Sequence, residues 1–411
     1  MLKKISPNLF SAFVVGISSG LVYAFLVISS TTYMKEYGLS LTMIGVFSIK
    51  MLPYSCKYLF APYVDHHRIR LFNRNFCLRK SWMLSTQMLL VFSIAIFGFV
   101  DIEQHIYISF MVLTVVALLG ALYDVAVQAY IIELFGKENL SVGNTILICG
   151  FRFGMFFATS VGLVLATFMR WQSVFLCTAL GIIPCMVFVY YIPSVKIINK
   201  ETESITYQRW ILKYFIEPLR YFWNQKNFWM ITMIITFYKV SDAYLDAMLI
   251  PFFLERGFSK EEIAFAAKTV GIVGAVIGTI LGGGLLTRWH IATVLLCAEI
   301  LAAVTNLQFI IFMYIEKNYC ILAAANFLES LSYGISNVAL MTFIGQLCNR
   351  KFVATNFSLL SSISAFGRVV LSPTSGFVAE KLGWNIFFII SAFLSLPSLI
   401  YITLYFNKKK L

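Results

Sequence analysis

ICGFRFGMFFATS at 148–160 and ISAFGRVVLSPTS at 363–375 are the two stretches that decide the fold of this 411-residue chain. Each carries one arginine, Arg152 or Arg368, inside a run otherwise apolar enough to cross a bilayer, and each ends in a Thr-Ser pair, Thr159-Ser160 or Thr374-Ser375. Asn144 and Asn356 precede them; Trp171 and Trp384 follow. The offsets are 212 residues for the asparagines, 216 for the arginines, 215 for the Thr-Ser pairs and 213 for the tryptophans, all near half the chain. One spacing shared by four features reads as a duplicated unit.

The rest of the composition agrees with membrane spans. Hydrophobic residues make up 60% of the chain and charged ones 12%, which excludes an ordinary soluble domain. Runs of about 20 apolar residues predict twelve spans: 9–31, 41–63, 81–100, 107–134, 141–168, 172–192, 228–250, 263–286, 290–314, 320–346, 353–379 and 384–406. The fold class expected is an all-α polytopic membrane protein of two six-helix bundles, 1–192 and 228–411. They are joined by a polar linker, 193–227, whose part 207–222 is amphipathic.

A net charge of +13 is high for a protein without a nucleic-acid partner, but the positions of the 32 Lys and Arg residues follow the predicted topology instead. With the N-terminus inside, 20 fall on the cytoplasmic side, 6 on the opposite side and 6 within spans. The positive-inside rule then puts both termini in the cytoplasm. Lys3 and Lys4 ahead of the first span do not make it a signal peptide, since no small-residue cleavage pattern follows. The eight cysteines form no CxxC pair, and no Ser-His-Asp or zinc-ligand spacing occurs, so neither an enzyme, a disulfide framework nor a metal site is indicated. No cofactor is expected.

An ionisable side chain at the centre of a span costs roughly 2.5–3.5 kcal/mol on insertion scales and so marks a site or a partner. Eleven such residues occur: Lys50, Lys57, Asp124, Arg152, Lys239, Asp242, Asp246, Lys268, Glu299, Glu329 and Arg368. Helix rise puts Asp124 and Arg152 about 15 Å and 16 Å from the cytoplasmic ends of adjacent spans, and brings Glu329 near Arg368 and Asp246 near Lys268. Three ion pairs are therefore expected. They serve either as structural bridges or as a site, and the arginines, always charged and fork-shaped, suit an anionic or zwitterionic ligand.

Lys239, Asp242 and Asp246 stand at i, i+3 and i+7 on one helix face. Two carboxylates a turn apart in apolar surroundings do not both ionise readily, so one can carry a proton while Lys239 holds the other charged. Asp242 is the better proton carrier, Glu329 a second, and Asp246 either a third or a hydrated residue at the extracellular mouth. Lys57 is read as snorkelling to the cytoplasmic edge, Lys50 as meeting solvent, and Glu299 as lying outside the site. Tyr54, Tyr58, Tyr123 and Tyr238 lie near these charges and fit either sugar stacking or ordinary packing. The glycine runs at 282–284 and Ser18-Ser19-Gly20 read as helix-packing devices rather than phosphate loops.

Asp65 followed by Arg68, Arg70 and Arg74 is similar to the Asp-and-Arg loop signature of the major facilitator superfamily, and marks a cytoplasmic gate. The whole chain more specifically resembles the AmpG-type muropeptide permeases of that superfamily, with acetyl-CoA transporters as more distant relatives. The residues carrying the resemblance are Leu52-Pro53-Tyr54 with Lys57, Ala61-Pro62 and Asp65; Gly150-Phe151-Arg152; Tyr238-Lys239 with Asp242; Lys268-Thr269 with Gly271; and Glu329, Leu347-Cys348-Asn349 and Phe366-Gly367-Arg368. It departs in the fourth span, where Gln128, Ile131 and Ile132 stand in place of further charges, and at Lys50 and Asp246.

The resemblance implies proton-driven import of N-acetylglucosaminyl-1,6-anhydro-N-acetylmuramyl peptides across the bacterial inner membrane by a monomer. Substrate is expected at mid-membrane, bound by Arg152, Arg368, Lys239, Lys268, Asp124, Tyr123 and Tyr238, with protons on Asp242, Glu329 and Asp246. Another anionic solute, such as acetyl-CoA, a nucleotide or a small peptide, is the same-fold alternative. A membrane-embedded enzyme or a sensor is the remote one.

Overall fold

The computed structural model describes residues 2–39, 43, 47–69, 77–102, 104–195, 215–225, 227–266, 270–349, 351–371 and 374–410, and every regular element among them is helical. Nine stretches among the described residues are long and apolar enough to cross a membrane: Pro7–Glu36, Leu78–Phe99, Ile106–Phe135, Leu140–Thr159, Trp171–Tyr191, Gly271–Arg288, Ile291–Met313, Tyr319–Leu347 and Thr374–Asn407. Most of the linker, 196–214, lies outside the described residues.

Two of the twelve expected spans break among the described residues, and the reasons are local. In 41–63 the described chain is a 3-10 turn, Ser48–Met51, then Leu52–Ser55 with Pro53 in its first turn, then Lys57–His66 after Cys56 leaves helical angles at φ −98° and ψ 22°. The seventh breaks between Phe228–Phe237 and Val240–Glu255, where Lys239 takes φ −115° and ψ 10°. That break places Asp242 in the first turn of the second piece, where the helix dipole favours a carboxylate. The expected span 353–379 holds the helix Val353–Leu371 and the start of Thr374–Phe393, with 372 and 373 outside the described residues; beyond it, Thr374–Phe393 turns at Gly383 with φ 79°.

The described chain forms two compact units, Met1–Pro218 with Cys348–Leu359, and Leu219–Leu347 with Leu360–Leu411. In the first, Leu2–Ala24 lies along Leu140–Phe156 at backbone contact. Gly16 and Gly20 on one helix face Gly150 and Gly154 on the other, a pair of G-x-x-x-G stripes. A Cβ on Gly150 would stand 2.1 Å from the Phe13 carbonyl oxygen, and one on Gly20 2.1 Å from that of Phe151. Beyond this crossing Phe25, Tyr33, Phe97 and Phe175 interlock edge to face.

The second unit repeats the device on other helices. Gly271–Arg288 packs on Tyr319–Leu347, where a Cβ on Gly278 would meet the Leu331 carbonyl oxygen at 2.0 Å, and one on Gly367 would meet that of Thr236 at 2.3 Å. Its core is an aromatic block of Phe252, Phe253, Phe309, Phe312, Phe387 and Phe388. The duplication read from the tryptophans has a physical basis in both units. Trp171 Nε1 donates to Glu36 Oε2 at 2.5 Å, and Trp384 Nε1 donates to Glu255 Oε2 at 3.0 Å, each glutamate closing the long helix that opens its half.

Gly150→Ala is expected to cost about 1–3 kcal/mol through overpacking and to lower the melting temperature in detergent. Gly284→Ala, whose Cβ meets nothing within 4 Å, is expected to leave it level or raise it. Equal behaviour of the two variants would contradict the close crossing.

Candidate functional site

Each unit holds its own set of charges within the spans. In the first, Asp124 pairs with Lys57 rather than with Arg152. The snorkelling expected of Lys57 is therefore replaced by an ion pair. The break at Cys56 starts a new helix at Lys57, directly packed on Ile106–Phe135, and turns the ammonium inward. Lys57 Nζ also lies 5.1 Å from the centre of the Tyr54 ring. Tyr54 in turn meets Tyr23 edge on at 6.1 Å, and Tyr23 meets Phe151 at 5.6 Å, which brings the chain to half-buried Arg152. Tyr58 donates to the Phe215 carbonyl oxygen at 2.6 Å, so it is a packing residue here. Lys50 is buried and donates to Ser30 Oγ at 2.8 Å, not open to solvent as expected.

Tyr123 and Tyr238, expected at the substrate, are wholly enclosed. Tyr123 accepts from Gln87 Nε2 and donates to the Val15 carbonyl oxygen, both at 3.2 Å. Tyr238 directs its hydroxyl to the Leu295 carbonyl oxygen at 3.4 Å. Both belong to the packing behind the charges.

In the second unit Lys239 donates to Asp242 Oδ2 at 2.6 Å and its ammonium stands 3.8 Å over the Tyr333 ring. Both partners are nearly fully buried, at 3% and 5% exposure, so this pair is desolvated and its geometry tightly set. Glu329, one turn before Tyr333, accepts from Ser330 Oγ at 3.2 Å and lies within electrostatic reach of Asp242, Asp246 and Lys239. The expected pair of Glu329 with Arg368 is not formed. Arg368 is half-buried and makes no hydrogen bond or ion pair among the described residues. Asp246 is exposed, and Lys268, its expected partner, lies outside the described residues. Among the described residues no cluster of His, Cys, Asp and Glu could hold a metal ion.

The charges expected around Asp65 form a cluster, but a differently built one. Arg68 is exposed and Arg70 lies outside the described residues; the arginine that meets Asp65 is Arg79. Its Nη2 donates to Asp65 Oδ1 at 2.7 Å and to Glu133 Oε1 at 2.6 Å, and Nη1 donates to the Val64 carbonyl oxygen at 2.8 Å. Asp65 also accepts from the backbone N–H groups of Ala354 at 3.2 Å and Thr355 at 2.8 Å and from Thr355 Oγ1 at 2.7 Å. It thus caps the first turn of Val353–Leu371 from a distant segment, the role an N-cap carboxylate usually plays within its own helix. Burial first, and then the Asp65 carboxylate, push the Cys348 thiol above its ordinary range. From the sequence, Arg79 is one of the cytoplasmic charges and Glu133 an acidic residue of the fourth span; nothing in their spacing from Asp65 shows the contact.

Comparison with known proteins places these features. The model of the Major Facilitator Superfamily matches residues 9–292 and 242–410. The anhydromuropeptide permease of Escherichia coli strain K12 is 30% identical over 389 residues, covering 94% of this chain and 77% of that protein. The putative transporter AmpG 4 of Rickettsia conorii is 28% identical over 404 residues, covering 98% and 97%. Among solved structures, the human organic anion transporter TETRAN matches with a TM-score of 0.73 at 13% identity, covering 97% of this chain and 99% of that one. The Escherichia coli fucose:proton symporter matches at 0.70 and 14%, covering 97% of each. At those identities the structures show the fold alone.

Lys57→Met strands the Asp124 carboxylate and is expected to destabilise the protein by about 1–3 kcal/mol. This is below the roughly 3–5 of a fully buried pair, because the two side chains keep 16% and 21% exposure. Adding Asp124→Leu is expected to recover most of the loss, read as melting temperature across the double-mutant cycle. Additive losses would contradict the pairing.

Proposed function

We propose a function that proceeds from one fact: this chain belongs to the major facilitator superfamily and, within it, to the AmpG-type permeases. It is a multi-pass membrane transporter and not an enzyme. Its substrate in our reading is an anhydro-muropeptide, taken from periplasm to cytoplasm across the bacterial inner membrane by a monomer with both termini inside. The observation that carries this reading is the 30% identity across 94% of the chain with the Escherichia coli anhydromuropeptide permease.

The chemistry of the charges supports it. Muropeptides carry stem-peptide carboxylates, and Arg368 holds an always-charged, planar fork with no ionic partner among the described residues. A carboxylate placed there gains charge-assisted hydrogen bonds worth about 1.5–3 kcal/mol. Arg152, its counterpart in the duplication, is the second anion receptor. The driving force is the inward proton gradient, with no bound cofactor. Asp242 is the first carrier, since a proton on it cancels the charge that holds Lys239 at 2.6 Å. Glu329 and Asp246 are within reach of the same pair and complete the set.

The test is uptake of labelled anhydro-disaccharide tripeptide into proteoliposomes. Accumulation is expected only with an inward proton gradient, and Arg368→Gln or Arg152→Gln is expected to lower it at least about 10-fold, the equivalent of one charge-assisted bond. Uptake by the parent that ignores the gradient, or arginine variants that transport normally, would contradict this function.

A further inference from the structure

Glu299, read from the sequence as lying outside the site, is on Ile291–Leu307, yet it is 0% exposed and none of the pairings above uses it. Its Oε1 stands 2.6 Å from Ser398 Oγ, and the same Ser398 Oγ stands 2.7 Å from the Ser395 carbonyl oxygen. A serine hydroxyl has one hydrogen to give. If Glu299 were ionised, Ser398 would satisfy one of these two oxygens and leave the other facing a lone pair at hydrogen-bond distance. Both contacts are favourable only when Glu299 is a carboxylic acid that donates to Ser398 Oγ while Ser398 donates to Ser395. The other carboxyl oxygen, Oε2, is buried with no hydrogen-bond partner, which a neutral acid tolerates far better than an anion.

The surroundings give this acid no counter-ion of its own. The break in the seventh span contributes Tyr238, Lys239 and Asp242 around it, and the last helix contributes Ser398. No other charged side chain is within its reach among the described residues. Lys239 is already held by Asp242 and the Tyr333 ring. The Tyr238 hydroxyl points at the Leu295 carbonyl oxygen, one turn before Glu299.

We propose that Glu299 is a buried, proton-bearing station of the transport cycle, exchanging its proton with the Asp242 carboxylate. In that step the proton leaves the Glu299 carboxyl and arrives on Asp242. Glu299 takes the negative charge that Asp242 gives up, and Lys239 loses the anion that holds it. The return step reverses the transfer. The proposal rests on the proton-coupled reading above and adds to it a residue on a helix outside the charged faces already described.

The test uses the full-length protein in proteoliposomes with labelled anhydro-disaccharide tripeptide, and infrared difference spectroscopy on the same preparations. The parent is expected to show the stretch of a buried protonated carboxyl that Glu299→Gln removes. Glu299→Gln is also expected to lower gradient-driven accumulation at least tenfold and flatten its pH profile, with counterflow exchange falling by a smaller factor. Ser398→Ala, which leaves the acid in place, is expected to keep the protonated-carboxyl signal at a shifted frequency. The proposal is overturned if the signal is present unchanged in Glu299→Gln. It is also overturned if that variant accumulates substrate with the parent's pH profile, which leaves Glu299 a structural donor. A parent that ignores the gradient brings down the proton-coupled reading itself, a result distinct from a parent and variant that respond alike.

Discussion

Every working part of this molecule depends on one constraint: a charge inside an apolar span has to find a partner, a ligand or a proton. The two halves meet that constraint differently. In the first, the acid Asp124 takes Lys57 and Asp65 takes Arg79. In the second, one cation, Lys239, serves Asp242, while Glu329 has a serine, Glu299 has a serine, and Asp246 is exposed. Among the described residues Glu299 and Glu329 form no ion pair, the condition under which a proton becomes the partner. Arg368, half-buried and without an ionic partner among the described residues, presents the opposite demand, for an anion.

Glycine and backbone geometry make these arrangements possible. The stripes Gly16-Gly20 and Gly150-Gly154 bring two helices into backbone contact at the very turn that carries Arg152, and Gly367 does the same beside Arg368. The seventh span breaks where its charges lie, so that Asp242 sits at a helix start instead of in mid-helix. Interrupted helices near charged side chains recur where transporters bind their cargo and coupling ions.

Much of this was legible in the residues. The duplication followed from four shared offsets, the spans from apolar run length, and the charges within them from position alone. What was not legible is rotation and reach. Asp124 and Arg152 share a depth, but depth does not say which way a side chain points, and a kink at Cys56 handed Asp124 to Lys57 instead. Arg79 lies 14 residues after Asp65 and Thr355 lies 290 after it, separations with no periodic signature. In the sequence Glu299 reads as lying outside the site; only the shared hydroxyl of Ser398 points to its state. The two expected spans that break among the described residues were apolar enough to be counted, and what interrupts them, the turns at Cys56 and at Lys239, acts through backbone angles that hydropathy does not register.

The most direct measurement is of the proton itself. Proteoliposomes loaded with a pH-sensitive dye, with no gradient imposed, should acidify inside when anhydro-disaccharide tripeptide is added outside, and should do so only with protein present. Substrate entry without any change in internal pH would contradict the account, because the carboxyl groups of the second half would then have no proton to carry.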